Sequence, residues 1–198
     1  SQDPENTHVS ICALLDLAAR LAPHDALLAE RALEEARWGL EWVTRMRFAP
    51  AIRYLYGGYS YYTDSIAGND DDSIHENVGF DAFRALTATL AEVRGAIALR
   101  DIEPERAAEL LTHAEEDFAV ILRERPVPRQ EDAAARWNIV GWQNEAGYMA
   151  LTAVHLYNAT GKREYADAAT RMARWVLDLQ EIRFVDGSPI TGYFFEDA

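Results

Sequence analysis

Cysteine occurs once, at Cys12, so the chain forms no internal disulfide and holds no thiolate-rich metal site. Positive charge is scarce too: 19 Lys and Arg stand against 33 Asp and Glu, giving a formal net charge of −14, and no basic block relieves the deficit. The attraction that supports binding to nucleic acid or to an anionic membrane is therefore missing. No run of about 18 apolar residues occurs. Residues 1–6 lack both the basic and the apolar region of a signal peptide. There is no glycine-rich phosphate loop, no Gly-x-Ser-x-Gly elbow and no Cys-x-x-Cys pair, so nucleotide, serine-hydrolase and thiol chemistry lose their usual markers. What is present is a 198-residue chain of 49% apolar residues. A chain of that length forms one core and buries roughly 70% of its unfolded surface.

Apolar residues recur at helical spacing in six segments, and strand-like alternation appears once, which predicts a nearly all-α protein. The first helix is expected over about 6–22, with Ile11, Leu14, Leu15, Ala18 and Leu21 on one face, and Pro23 ends it. The second runs from about 25 to 48 with Leu28, Ala32, Ala36, Gly39, Leu40 and Val43 as its stripe. In the third, Phe83, Leu86, Leu90, Val93 and Ile97 step by three and four. The fourth starts near Pro104 and buries Leu110, Leu111, Ala114, Phe118 and Ile121. The fifth covers about 142–159 and stops at Gly161, and the sixth covers about 162–180.

Helices one and two, three and four, and five and six are joined by only a few residues, so each pair is an antiparallel αα-hairpin. The links between hairpins, 49–77 and 123–141, are long, and long ordered loops are usually functional. Each leaves the end of an even helix and enters the start of an odd one, so both belong to one face. Hairpin starts lie about 64 to 72 residues apart, too long and too irregular for tetratricopeptide-type repeats. The expected architecture is an α/α toroid, with residues 1–198 as a single domain segment. Three hairpins make half of a six-hairpin ring, and half a ring is completed by the remainder of the domain or by a partner chain.

Residues 52–63 read as two short strands around a Gly57-Gly58 turn, carrying Tyr54, Tyr56, Tyr59, Tyr61 and Tyr62. Asp64, Asp70, Asp71, Asp72, His75 and Glu76 follow within 13 residues. Rings cover the apolar faces of a sugar and carboxylates accept its hydroxyls, so this loop fits a carbohydrate cleft. It also fits a tyrosine hairpin that caps helix ends beside a solvated acidic loop. Calcium at Asp70, Asp71 and Asp72 is a minor reading, because the EF-hand spacing and its closing Glu are absent. His75 and Glu76 are expected at the start of helix three, where a capping pair is the plain reading. The second loop leads through Trp137 to Trp142 and Glu145, which fit either ligand contact or packing. Trp38, Trp42 and Trp175 read as packing residues, and His8, His24, His113 and His155, scattered without partner spacing, as structural.

The run Trp38-Gly39-Leu40-Glu41-Trp42, ending in Arg45-Met46, resembles the Trp-Gly-Leu-x-Trp helix of family 9 glycoside hydrolases, the cellulase-type endoglucanases. The order of the hairpin, the Asp-rich loop and the later helices is similar to the middle of that family's toroid. The resemblance implies inverting hydrolysis of a β-glucan-like polysaccharide in an extracellular or periplasmic setting, with a carboxylate base activating water and a Glu acid protonating the leaving oxygen. The family's Asp-Ala-Gly-Asp base motif is expected upstream of Ser1 and its acid downstream of Ala198; Glu196 and Asp197 match no acid motif. The expected contribution of this chain is therefore to the substrate cleft, through Tyr59, Tyr61, Tyr62, Asp64, Asp72, His75, Glu76, Trp137, Trp142 and Glu145, with no catalytic residue, cofactor or metal. The alternatives are a polysaccharide lyase or sugar epimerase on the same scaffold, with His75 and a loop tyrosine as proton carriers, and a non-catalytic helical interaction module.

Overall fold

A computed structural model describes residues 4–61, 73–125, 140–178, 180–185 and 188–194, without the side chains of 56–61, 73–76, 140–143 and 178–194. Six helices account for most of it: α1 Pro4–Leu21, α2 Ala26–Arg45, α3 Ala82–Leu99, α4 Pro104–Glu124, α5 Val140–Thr160 and α6 Arg163–Asp178. Between α2 and α3 lie β1 Arg47–Ala49, β2 Ile52–Tyr61 and β3 Ser73–Gly79, and after α6 come β4 Gln180–Val185 and β5 Ser188–Phe194. The chain divides into two compact units, 1–121 and 122–198.

Local chemistry sets the helix ends. The Asp25 carboxylate accepts from the Leu28 N–H at 3.0 Å and Asp81 accepts from Arg84 N–H at 2.9 Å, each filling one of the unpaired donors of a first turn. Pro104 opens α4 where a missing N–H costs nothing. Gly161, at φ 71°, takes the left-handed position that closes α5 and donates to the Tyr157 carbonyl at 2.7 Å.

In the first unit, α1, α2, α3 and α4 share a core of Ile11, Leu15, Ala36, Leu40, Val43, Ala88, Ala91, Leu99 and Leu110. Helix α3 is buried nearly all round, as a central helix must be. Two glycines permit the close packing. A Cβ on Gly39 would stand 2.7 Å from Ile11 Cγ1, and one on Gly95 would stand 2.6 Å from Leu40 Cδ1 and 3.3 Å from Leu110 Cδ1. Gly95→Val is accordingly expected to lower stability by about 2 kcal/mol through overpacking, read as a lower urea midpoint. An unchanged midpoint would show that Leu40 and Leu110 move aside freely.

In the second unit, α5 and α6 pack as a hairpin. Ala146, Met149, Ala153 and Leu156 are buried on α5, and Tyr165, Ala168, Ala169 and Met172 on α6. Strands β4 and β5 form a second antiparallel hairpin. The sequence pattern showed only one strand region, so this hairpin is an addition to the expected fold.

Four further expectations are corrected. Helix α2 stops at Arg45, and Phe48 stands exposed in β1. Leu28 is exposed too, and Ala29 takes its place on the buried stripe. Trp38 is 74% exposed and does not pack in a core. No turn forms at Gly57-Gly58: β2 runs straight through both, paired with β3 at Gly57↔Glu76 and Gly58↔His75. Ladder pairing with 73–79 outcompetes the local preference of a Gly-Gly pair for turning.

Candidate functional site

The first long loop builds a three-stranded antiparallel sheet in the order β1-β2-β3 on the end of the first unit. The starts of α1 and α3 and the ends of α2 and α4 meet there. His8 Nδ1 lies 2.9 Å from Thr87 Oγ1, tying α1 to α3, and Arg84 Nε lies 3.1 Å from Glu5 Oε1. The Trp42 ring sits 6.2 Å from the His8 ring and meets Tyr54 edge-on at 6.0 Å. Residues from α1, α2 and β2 thus form one aromatic column at the root of the sheet.

On the other side of β2, period-two alternation sends Arg53 into the core, where it is 3% exposed. Its Nε donates to Asp117 Oδ2 at 2.9 Å, its Nη2 to Asp117 Oδ2 at 2.6 Å and to Glu92 Oε2 at 2.5 Å, and its Nη1 to the Val43 carbonyl at 3.2 Å. Asp117 Oδ1 accepts from Arg47 Nε at 2.9 Å and from the Ala51 N–H at 2.8 Å. Arg47 also reaches Glu116 Oε2 at 2.6 Å. The turn between β1 and β2 has Pro50 followed by Ala51 at φ 57°, the pattern of a type II turn, whose third residue is usually Gly. Ala51 is fully buried, so a methyl group fills the core where glycine would leave a gap.

Glu92 and Asp117 are both wholly buried, and each is the one charged residue among the buried side chains of its helix. Desolvation pushes the Glu92 carboxyl above its ordinary value of 4.5, against the pull of Arg53. Desolvation and the nearby Arg47 guanidinium hold His113 below its ordinary 6.5. His113 Nδ1 stands 3.8 Å from Glu92 Oε1, too far for a hydrogen bond, and neither atom has a hydrogen-bond partner. Burial works against the charged form of each group, and at 3.8 Å the contact is not a hydrogen bond.

The signs of the linkage follow. A histidine depressed on folding is protonated first in the unfolded chain, so its contribution is lost as pH falls through about 6.5. A carboxyl raised on folding keeps its proton longer in the native state, so its contribution is lost as pH rises from about 4.5. His113→Gln is therefore expected to gain stability relative to the parent as pH falls below about 6.5, and Glu92→Gln to gain it as pH rises above about 4.5. Urea midpoints across pH 4 to 8 check both; parallel curves for parent and variants would contradict them.

Of the residues expected in a cleft, Tyr59, Tyr61, His75 and Glu76 are brought to one hairpin, with Tyr59 opposite Ile74 and Tyr61 opposite Ser73. His75 and Glu76 stand in β3, and α3 starts at Ala82 behind the Asp81 cap, so the expectation of a helix-start pair is corrected. Trp142 falls in the first turn of α5. Glu145, one turn on, is 9% exposed with Oε2 3.5 Å from Arg125 Nε, which turns it to an internal partner. Tyr62, Asp64, Asp72 and Trp137, with the calcium candidates Asp70 and Asp71, lie outside the described residues. Among the described residues no cluster of His, Cys, Asp and Glu has the make-up of a metal site, and no helix is long and apolar enough to cross a membrane. Sequence reasoning missed Arg47, Arg53, Glu92 and Asp117. The available signal was a charged residue on each buried stripe, Glu92 beside Val93 and Asp117 beside Phe118.

Comparison with known proteins completes the site. The sequence profile of glycosyl hydrolase family 9 matches residues 6–184. Among solved structures, a metagenome-derived glycoside hydrolase family 9 endoglucanase superposes with a TM-score of 0.66 at 23% identity over 88% of this chain. An endoglucanase from the termite Nasutitermes takasagoensis superposes with a TM-score of 0.62 at 15% identity over 86%. The chain spans 36% and 40% of the lengths of those two proteins. No curated protein matches significantly. At these identities the superpositions show a shared fold, the α/α barrel, and the profile match carries the kinship: the chain belongs to glycosyl hydrolase family 9.

Proposed function

We propose that this chain forms part of the substrate cleft of an inverting hydrolase acting on a β-glucan-like polysaccharide, with the β2–β3 hairpin as a cleft wall. The observation that carries this reading is the coincidence of a family 9 match over 6–184 with a tyrosine-bearing hairpin rooted on the face where helix ends and long loops meet. Inversion requires a base carboxylate and an acid carboxyl separated by about 6.5–9.5 Å, enough to admit a water molecule. No segment of these 198 residues matches the Asp-Ala-Gly-Asp motif that supplies the base in this family. The chain then contributes binding, and the remainder of the catalytic domain, or a completing partner, contributes the proton transfers.

Exposed apolar side chains support that division. Val9 and Leu17 lie two turns apart on α1, and Leu151, Val154 and Tyr157 lie three apart along α5. Uncovered rows of this kind are what a neighbouring helix hairpin buries. The same reading places the enzyme outside the cytoplasm, where polymeric glucan is encountered.

Replacing the hairpin tyrosines tests the proposal. Tyr59→Ala and Tyr61→Ala are each expected to weaken cellohexaose binding about tenfold, the loss of one stacked ring. Titration calorimetry on the full-length protein reads the effect. Unaltered affinity in both variants would remove the hairpin from the cleft.

A further inference from the structure

The buried charges at the root of the hairpin have no part in proton transfer and are a poor way to gain stability. Replacing a buried ion cluster by apolar side chains of equal volume is often neutral or favourable, because desolvation offsets the attraction. What such a cluster supplies is geometry. The two oxygens of Asp117 bracket the turn at the base of the sheet: Oδ1 holds Arg47 of β1 and the Ala51 amide within the turn, and Oδ2 holds Arg53 of β2. Arg53 is at once the register partner of Arg47 on β1 and of Gly79 on β3, so anchoring its side chain fixes the central strand to which both neighbours pair. Glu92, from α3, holds the same guanidinium at 2.5 Å and fixes its direction. Directly after Arg53, Tyr54 meets Trp42 on the opposite side of the strand. The root is thus clamped on an ionic side and an aromatic side, and the rest of the hairpin extends from the clamp.

We propose that Asp117, with Arg53, Arg47 and Glu92, is a positioning unit for substrate binding: it aims the β2–β3 hairpin, and with it the register of Tyr59 and Tyr61 against 73–74, at the glucan chain. This inference rests on the cleft reading given above. It names a specific device for that site: residues 39 and 64 positions from Arg53 along the chain, which touch no substrate, set how well substrate binds.

Two variants of the full-length protein test it. Arg47→Lys keeps the charge but replaces a directed N–H fork with a point charge, and is the milder change. Asp117→Asn keeps the shape but leaves fewer acceptor sites for the same donors. Both are read by backbone hydrogen exchange and by hydrolysis kinetics on cellohexaose. The expected result is exchange at least tenfold faster at 54–61 and 73–79 while α1 and α3 keep their protection, with KM raised five- to tenfold and kcat changed less than threefold. In these two mild variants, which unlike a truncation to alanine keep a hydrogen-bonding group at the site, exchange that rises equally through α1–α4 would make the cluster only a support of the whole unit and overturn the proposal, as would an unaltered hairpin. Exchange confined to the hairpin with unaltered KM would also overturn it, and would place the fault in the cleft reading, since exchange at the hairpin does not depend on what the enzyme binds. A variant that fails to fold is judged from the other, and loss of folding by Arg47→Lys itself would count against a positioning role.

Discussion

Asp117→Ala is expected to destabilise the first unit by about 3–5 kcal/mol, the cost of removing one partner from a buried charge cluster. The carboxylate is wholly buried and accepts four hydrogen bonds, from Arg47 Nε, the Ala51 N–H, and Arg53 Nε and Nη2. Alanine leaves all four donors without that acceptor, two of them on a guanidinium that is 3% exposed. The strained φ of 57° at Ala51 also loses the bond that holds it. Domains usually have only 5–15 kcal/mol in total, so the variant should melt roughly 10 °C or more below the parent. Thermal unfolding followed by circular dichroism measures this. A fall of under 3 °C would mean that water reaches the cluster and replaces the lost acceptor. The exposed pair Arg45–Glu41, at 3.2 Å, is the contrast: breaking it should cost well under 1 kcal/mol.

The 198-residue chain by itself is expected to release no reducing sugar from soluble β-glucan, because the proposed function gives it binding and not the proton transfers. General-base and general-acid terms each contribute typically about 10²- to 10⁴-fold, and no arrangement of cleft residues substitutes for both. Carboxylates are plentiful, but the three buried ones among the described residues are committed elsewhere. Glu92 and Asp117 are buried against arginines, and Glu145 is turned to Arg125. Turnover by the isolated chain that vanished on Asp64→Ala or Glu76→Ala would move the catalytic pair into the acidic loop and end the division of labour proposed here.

Helical periodicity carried most of the fold in plain view. The stripes of α1 and α4 were legible because each has a clear apolar face, and the short links at Pro23, Asp101 and Gly161 revealed the three hairpins, whereas α3 is buried nearly all round and leaves Ile97 of its expected stripe exposed. Residues whose fate depends on distant partners were not legible. Gly57-Gly58 carries a strong local turn signal, and only pairing with 73–79 makes it strand. Trp38 has the spacing of a core residue on α2, yet it faces outward, as does Leu28, because the stripe that the fold uses is centred on Ala29, Ala32, Ala36 and Leu40. Arg53 reads as one polar residue in a loop. Its role exists only because Glu92 and Asp117 arrive from two helices, and single charges in apolar stripes are easily taken for solvated positions. The candidate cleft was legible as a set of residue types, tyrosines followed by carboxylates, and illegible as a device, because the clamp that holds it lies beneath it.

The anomeric form of the first product tests the central claim most directly. Proton NMR of barley β-glucan digested by the full-length protein should show the α-anomer appearing first and relaxing by mutarotation, since single displacement by water at a β-linked carbon inverts it. Initial release of the β-anomer would mean a covalent glycosyl intermediate and two closely spaced carboxylates, and would contradict the inverting cleft to which this chain is assigned.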